Sequence, residues 1–166
     1  MVPKMKCMLI FVSGSINSGK TTTSKLLAAK LGARFINVDD LNDRIPNFNL
    51  ATDLDRSMDL AISEINNYLT EGYDVVANYV VREKDYTRLQ KEINTPNIHV
   101  ITLAPRLEVA QGERGGRKLT EWEVARVKHH YDTGVASPSF GHIIDNSDIT
   151  PEETVDKILE IVKGVV

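Results

Sequence analysis

The most specific chemical signal in this sequence is a segment that combines two glycines with a lysine and a threonine. Residues 14–21 read Gly-Ser-Ile-Asn-Ser-Gly-Lys-Thr and match the pattern G-x-x-x-x-G-K-[ST] at every fixed position. Gly14 and Gly19 permit backbone conformations that a Cβ would hinder, so successive amides can turn inward around an anion. Lys20 can place its charge on the β- and γ-phosphates, and Thr21 can offer its hydroxyl to Mg²⁺. The pattern predicts a site for a nucleoside triphosphate with Mg²⁺.

The segments on either side of this loop are those that the pattern, known as Walker A, requires. An apolar run from Met8 to Val12 predicts a buried strand, and a helix-forming stretch extends from Thr22 to Leu31. A strand, a glycine loop and a helix N-terminus in this order argue against a turn that matches by chance. We therefore expect nucleotide contacts from the whole loop and the first helical turn. These residues are Gly14, Ser15, Ile16, Asn17, Ser18, Gly19, Lys20, Thr21 and Thr22.

Predicted strands and helices alternate along the rest of the chain. Further strands are predicted at residues 33–38, 73–80, 98–103 and 142–145, with helices at 52–71, 83–93, 106–113, 120–132 and 151–162. The alternation predicts a five-stranded parallel sheet with helices on both faces, the three-layer α/β/α fold of P-loop NTPases. The length is that of one domain, which we expect to span residues 1–166. The helix after Thr52 is predicted from a capping box with Asp55, and residues 41–51 are expected to be irregular.

Composition narrows the classes of partner. The chain has 20 basic and 23 acidic residues, a net charge of −3 and no basic arm, so we expect no nucleic-acid partner. No apolar stretch approaches the length of a membrane span, so we expect no membrane partner. The single cysteine, Cys7, has no partner for an internal disulfide, and a reduced, cytoplasmic setting is the simplest interpretation.

An acidic pair follows the second predicted strand. Ligands of parallel sheets lie at the carboxyl ends of the strands, which is where Asp39 and Asp40 fall. Phosphoryl transfer to a hydroxyl uses a carboxylate to accept or orient its proton, and Asp39 is our candidate for this base. The alternative is that either aspartate only stabilises a turn or caps a helix, and we favour this alternative for Asp40. Many nucleotide hydrolases carry a metal-holding aspartate at the end of the third strand, but the residue there is Asn78 in this sequence. Asp39 is therefore the best-placed acid near the loop.

Two arginines, Arg114 and Arg117, flank a pair of glycines. The glycines predict a mobile lid at about residues 113–120, and the arginines can bind phosphate oxygens or stack on a base. We expect Arg117 to act on the transferring phosphoryl group, the alternative being a solvated basic loop. Arg126, on the next helix, could reach the site or pair with Glu123.

No histidine or cysteine spacing suggests a metal site. The adjacent pair His129 and His130 points to different sides of a helix, which a shared metal would not allow. We interpret all four histidines, which also include His99 and His142, as structural or solvated. Thr21 is then the protein ligand expected for Mg²⁺.

These segments together resemble the small P-loop kinases of the nucleoside-monophosphate-kinase-like group, and among them the chloramphenicol phosphotransferases. The resemblance covers most of the chain and rests on residues 14–21, 35–46, 114–117, 130–135 and 145–153. It implies a base at Asp39. It also implies that Arg114 lies beside the adenine, that Arg117 contacts phosphates, and that the loop ending at Pro151 borders the nucleotide base.

The chain is also similar to shikimate kinases but differs where those enzymes bind their substrate. Their D-x-D motif after the second strand reads Asn37-Val38-Asp39 here, and their glycine triplet reads Asn78-Tyr79-Val80. The acceptor would be surrounded by residues 41–51 with Asn78, Tyr79 and Arg82.

The sequence predicts an ATP- and Mg²⁺-dependent phosphotransferase acting on a hydroxyl of a small molecule. The alternative is a nucleotide-binding switch or regulatory NTPase module without transfer to a small molecule. A GTPase switch is disfavoured because the sequence has no N-K-x-D tetrapeptide to read guanine.

Overall fold

The computed structural model describes residues 6–164, and the predicted domain limits at residues 1 and 166 lie outside this range. Its strands are β1 (Leu9–Gly14), β2 (Arg34–Asn37), β3 (Val75–Asn78), β4 (Ile98–Leu103) and β5 (His142–Ile144). Its α-helices are α1 (Lys20–Leu31), α2 (Leu54–Thr70), α3 (Glu83–Glu92), α4 (Leu107–Gln111), α5 (Glu121–Asp132) and α6 (Pro151–Val162). A 3₁₀ helix spans Val38–Arg44.

The five strands form one parallel sheet in the order β2-β3-β1-β4-β5. Leu9, the first residue of β1, pairs with Val75 of β3 on one side and with Ile98 of β4 on the other. The central position of β1 puts the glycine loop in the middle of the carboxyl edge of the sheet. The predicted three-layer α/β/α P-loop fold with a five-stranded parallel sheet is confirmed.

Two apolar clusters cover the two faces of the sheet, and β1 contributes to both. Phe11 packs with α2 and α3, where Met58 is fully buried. Ile10, its neighbour in the strand, packs on the opposite face with Leu27 of α1 and Ile158 of α6. All six residues of β1 are buried, as expected for a central parallel strand. The loop that follows β1 is therefore attached to a strand that is buried along its whole length.

The second crossover differs from the sequence prediction. The polar segment after β2 is a 3₁₀ helix, and the Asn37 side chain caps it by accepting a hydrogen bond from the Asp39 amide at 3.3 Å. The capping box at Thr52 was wrong, because α2 begins two residues later. Asp53 accepts from the Asn49 amide at 2.8 Å and so closes the preceding turn instead.

The segment that the sequence predicts as an arginine lid forms a tight turn between α4 and α5. The amide of Arg117 donates to the carbonyl of Arg114 at 2.9 Å, and the amide of Arg114 donates back at 3.3 Å. Gly115 and Gly116 occupy the two central positions with φ of 57° and 78°, a geometry that strongly favours glycine. The glycine pair therefore builds a defined hairpin turn that holds the two arginines side by side.

Within residues 6–164, no helix is both long and apolar enough to cross a membrane.

Candidate active site

The loop between β1 and α1 has the strained backbone that a phosphate cradle needs. Gly14 has φ of 152°, and a Cβ there would lie 2.8 Å from the carbonyl oxygen of Leu103, closer than atoms can pack. Gly19 is the N-cap of α1 with φ of 89°. The two glycines thus allow the loop to take this conformation beside the N-terminus of α1, where the helix dipole favours an anion.

A cleft of about 660 Å³ opens over this loop and brings most of the sequence-predicted site residues together. Its lining consists of Ile16, Asn17, Ser18, Gly19, Lys20, Thr21, Thr22, Asp39, Arg114, Gly115, Arg117, Glu123 and Pro151. Of the predicted nucleotide-side residues, only Gly14 and Ser15, which are both buried, are missing from the lining. Gly115 and Glu123 line the cleft without having been predicted. Asp40 does not line it.

Lys20 and Asp39 bring opposite charges to the same cleft. The Lys20 ammonium donates to the carbonyl oxygen of Ser15 at 3.2 Å, so the side chain folds back over the loop. Burial lowers the pKa of Lys20, and the charge of Asp39 opposes this effect. Enclosure by the cleft raises the pKa of the Asp39 carboxyl, and the charge of Lys20 lowers it. Each group therefore helps to keep the other ionised.

The groups around Thr21 fit a magnesium ion that is held mainly by phosphates. The side-chain amide of Asn78 donates to the Thr21 hydroxyl oxygen at 3.3 Å. Residues 6–164 contain no cluster of three or more His, Cys, Asp or Glu side chains that could cage a metal. Mg²⁺ commonly takes one or two protein oxygens, with phosphate oxygens and waters completing an octahedron. Thr21 on the loop, with the Asp39 carboxylate in the same cleft, matches this donor set.

Both lid arginines have protein partners. Arg114 donates to the carbonyl oxygen of Asn17 at 3.0 Å. The side-chain amide of Asn17 in turn donates to the carbonyl oxygens of Ala110 and Gly112, each at 2.9 Å. Arg117 forms an ion pair with Glu123 at the start of α5. The lid is thus connected to the glycine loop through Asn17 and to α5 through Glu123.

Two buried side chains hold the glycine loop from behind, and sequence analysis did not identify either contact. The His130 Nδ1 atom lies 2.8 Å from the Ser15 hydroxyl oxygen. The side-chain amide of Asn146 donates to the backbone carbonyl oxygen of Ser18 at 2.8 Å. Burial, followed by the charges of nearby arginines and of Lys20, lowers the pKa of His130 to about 4. The neutral imidazole can then accept the Ser15 hydroxyl proton in a hydrogen bond. The only hint in the sequence was the resemblance over residues 130–135 and 145–153.

A second cavity of about 580 Å³ lies between the start of α3 and the chain that follows α5. Of the predicted acceptor residues only Arg82 lines it, together with His129, Phe140 and the hydroxyl-bearing Ser137 and Ser139. Residues 41–51 line neither cavity.

Tyr79, which we expected beside the acceptor, is buried. Burial and the nearby charge of Asp39 raise the pKa of Tyr79 to about 12, so its phenol stays protonated.

Comparison with known proteins identifies the fold of the chain and nothing finer. No family model and no curated protein matches the sequence. A gluconokinase from Sinorhizobium meliloti 1021 aligns with a TM-score of 0.70 at 16% identity, over 96% of this chain and 94% of that one. The tunicamycin resistance protein of Deinococcus radiodurans aligns with a TM-score of 0.70 at 16% identity, over 94% and 95% of the two chains. A shikimate kinase from Acinetobacter baumannii in complex with shikimate aligns with a TM-score of 0.62 at 18% identity, over 95% of this chain and 94% of that one.

At these identities the similarity establishes the fold. The chain has the fold of the small P-loop kinases, in agreement with the resemblance noted in the sequence. The likeness to chloramphenicol phosphotransferases stays a prediction.

Proposed function

We propose that this protein is an ATP- and Mg²⁺-dependent kinase that phosphorylates a hydroxyl group of a small molecule. The observation that carries the proposal is the convergence of Lys20, Asp39 and Arg117 on one cleft over a phosphate-type loop. A carboxylate beside the loop lysine can serve the Mg²⁺ of any nucleotide-binding loop. In a kinase it can also take the proton that the attacking hydroxyl oxygen must lose, and this second role supports the proposal.

The nucleotide would lie along the loop and beneath the lid. The triphosphate would take the amides of residues 14–21, and the Lys20 ammonium would move from the Ser15 carbonyl oxygen to the β- and γ-phosphates. Mg²⁺, held by the Thr21 hydroxyl, would neutralise phosphate charge. The adenine would sit between Arg114 and Pro151, which both line the cleft.

The transfer step then uses Asp39 and Arg117. The acceptor oxygen attacks the γ-phosphorus and gives its proton to the Asp39 carboxylate. The bond from phosphorus to the β,γ-bridging oxygen breaks, and ADP leaves with that electron pair. Arg117, released from Glu123, would stabilise the charge that spreads over the transferring group.

The second candidate is a nucleotide-dependent module that does not phosphorylate a small molecule. Its supporting observation is that both lid arginines are already engaged by the protein, as they could be in a resting switch. Such a module would bind ATP, and any turnover would give inorganic phosphate only.

A turnover panel tests the two candidates. The protein is incubated with Mg-ATP and separate sets of polyols, sugars, nucleosides, hydroxy acids and antibiotics, and ADP and product masses are measured. A kinase gives ADP above the rate in buffer together with one phosphorylated acceptor. ATP binding by calorimetry, with only inorganic phosphate released across the whole panel, would favour the switch or regulatory module.

A further inference from the structure

Two residues of the glycine loop, Ile16 and Asn17, stand at positions that the Walker A pattern leaves open. The backbone of Asn17 has a φ of 63°, in the left-handed region that asparagine tolerates better than most residues other than glycine. A glycine would take this conformation more easily. The asparagine is therefore best explained by the contacts that its side chain makes.

The side-chain amide of Asn17 donates to two carbonyl oxygens at the end of α4. These belong to Ala110 and Gly112, and each distance is 2.9 Å. The last carbonyl groups of a helix have no partner within the helix, and one amide group carries two hydrogens that can bind two of them. Asn17 therefore caps α4 from outside, where the chain leaves the helix for the turn between Arg114 and Arg117.

An apolar contact joins the same two parts of the molecule. Ile16 packs against a small cluster formed by Ala110 of α4, Leu119 and Val127 of α5. Ala110 and Val127 are completely buried. Neighbouring loop residues thus make one polar and one apolar contact with the hairpin that α4 and α5 form, so this lid hairpin is docked on the glycine loop.

Arg114 is held at the base of the lid turn. Its guanidinium donates to the backbone carbonyl oxygen of Asn17 at 3.0 Å, and the residue is half-buried, whereas residues 115–118 are exposed. A hydrogen bond in the plane of a guanidinium leaves its faces available for stacking on a base. Asn17 thus acts on Arg114 in two ways: its side chain fixes the chain that leads to Arg114, and its carbonyl oxygen holds the guanidinium.

We propose that Asn17 is a positioning residue, which fixes the lid hairpin on the glycine loop so that Arg114 presents its guanidinium to the nucleotide base. This inference rests on the nucleotide site of the proposed function, but not on transfer to an acceptor. In that site the triphosphate takes the loop amides and Lys20, and these groups do not include the Asn17 side chain. Loss of the side chain should therefore weaken binding of the nucleoside and spare binding of the phosphates.

Calorimetry with Mg-ATP and with magnesium tripolyphosphate separates the two parts of the site, because the two ligands differ by the nucleoside. Asn17→Gly accepts the left-handed backbone without strain and removes both amide donors. We expect its dissociation constant for Mg-ATP to rise about 5- to 20-fold, since two hydrogen bonds are lost, while that for tripolyphosphate changes by less than about 2-fold. An equal loss for both ligands, or no loss for either, would overturn the proposal.

A double-mutant cycle tests whether Asn17 acts through Arg114. Arg114→Ala removes the guanidinium and should itself weaken Mg-ATP binding by about 5-fold or more. If Asn17 positions this group, adding Asn17→Gly should then weaken binding by less than about 2-fold. Full additivity of the two effects would show that Asn17 acts independently of Arg114, against the proposal.

Asn66→Ala is the matched control for the lost hydrogen bonds. The Asn66 side chain donates to the carbonyl oxygen of Glu92, the last residue of α3, and accepts from the Asn94 amide, each at 2.8 Å. This contact also closes the end of a helix, but it lies outside the cleft lining. The control should lower the melting temperature by an amount similar to that of Asn17→Gly and leave both dissociation constants unchanged.

Ile16→Ala keeps the proposal testable if Asn17→Gly does not fold. It weakens the apolar half of the same contact, and we expect the same selective loss of Mg-ATP affinity. Unchanged selectivity between the two ligands in this variant would overturn the proposal. Wild-type protein that binds neither ligand would contradict the nucleotide site, and with it the proposed function. Wild-type binding without selective loss in the variants would contradict the role of Asn17 alone.

Discussion

At the scale of single residues, Asp39 and Lys20 are the pair on which the proposed chemistry depends. They line one cleft. The charge of Asp39 raises the pKa of Lys20 and the charge of Lys20 lowers the pKa of Asp39, so each favours the ionised form of the other. Asp40 is the neighbouring carboxylate but lies outside the cleft lining. This difference between two adjacent aspartates gives a matched pair of variants.

Asp39→Asn should abolish most of the transfer while leaving the nucleotide site intact. The amide keeps the shape of the side chain but cannot accept a proton, and general-base assistance contributes about 10²–10⁴ in rate. We expect kcat to fall by at least 100-fold with ATP affinity little changed, while Asp40→Asn stays close to the wild type. Recovery of Asp39→Asn by extra Mg²⁺ would instead indicate that Asp39 holds the water shell of the metal. Normal turnover with a lower melting temperature would make Asp39 a structural cap.

The pH dependence of kcat/KM gives a second test of the same carboxylate. Enclosure raises the pKa of Asp39 above its ordinary value of 3.8. A base acts only when deprotonated, so activity should be lost as the pH falls through this raised pKa. We expect an acidic limb centred above 3.8 that is absent from the residual activity of Asp39→Asn. An identical limb in the variant would assign the titration to another group.

At the scale of elements, α5 supports the site from two directions. Its first turn carries Glu123, which pairs with Arg117 of the lid, and its last turn carries His130, which contacts Ser15 of the loop. One rigid helix therefore links the lid to the phosphate loop. The lid also reaches the loop directly through Asn17.

His130→Phe should weaken nucleotide binding without touching nucleotide. The phenyl ring fills the same space but leaves the buried Ser15 hydroxyl without an acceptor, a loss of about 1–3 kcal/mol. We expect KM for ATP to rise about 5-fold or more, and adding Ser15→Ala should recover part of this loss because the orphaned hydroxyl is gone. His142→Phe, at an exposed position of β5, is the control. A lower melting temperature with unchanged KM would limit His130 to a packing role.

What the sequence predicted at this scale depended on how local the determining contacts were. The glycine loop and the capping boxes at Thr120 and Thr150 are decided within a few residues, and both boxes form. The box at Thr52 failed because Asp53 was drawn into the preceding turn. The contact between Ser15 and His130 joins residues 115 positions apart, so no local sequence pattern predicts it.

At the scale of the whole molecule, the site is built on the strand that both halves of the core share. Neighbouring residues of β1 alternate between the two apolar clusters, so disturbance of either cluster reaches the same strand. Unfolding should therefore involve the phosphate loop together with the sheet, and nucleotide binding should stabilise the entire fold.

Mg-ATP should raise the melting temperature of the protein, and Lys20→Ala should remove most of this effect. A ligand at 100 times its dissociation constant adds about 2.7 kcal/mol of stability, or about 5–11 °C for a chain of this size. Lys20 gives up only one hydrogen bond, to Ser15, so the variant itself should fold. Lys25→Ala, exposed on α1 outside the cleft, should keep the full shift. An equal shift in Lys20→Ala would place the nucleotide elsewhere.

The ion pair between Arg117 and Glu123 has a consequence for how fast nucleotide can be captured. The guanidinium already faces an oxyanion at the rim of the cleft, although more than half of the Arg117 side chain is exposed. An incoming phosphate then substitutes for a carboxylate instead of for bulk water, and the turn at Gly115 and Gly116 need move only as far as the new partner requires. Glu123 would act as a placeholder that keeps the arginine aimed, which shortens the search during association. Departure of ADP would be eased by the same exchange in reverse.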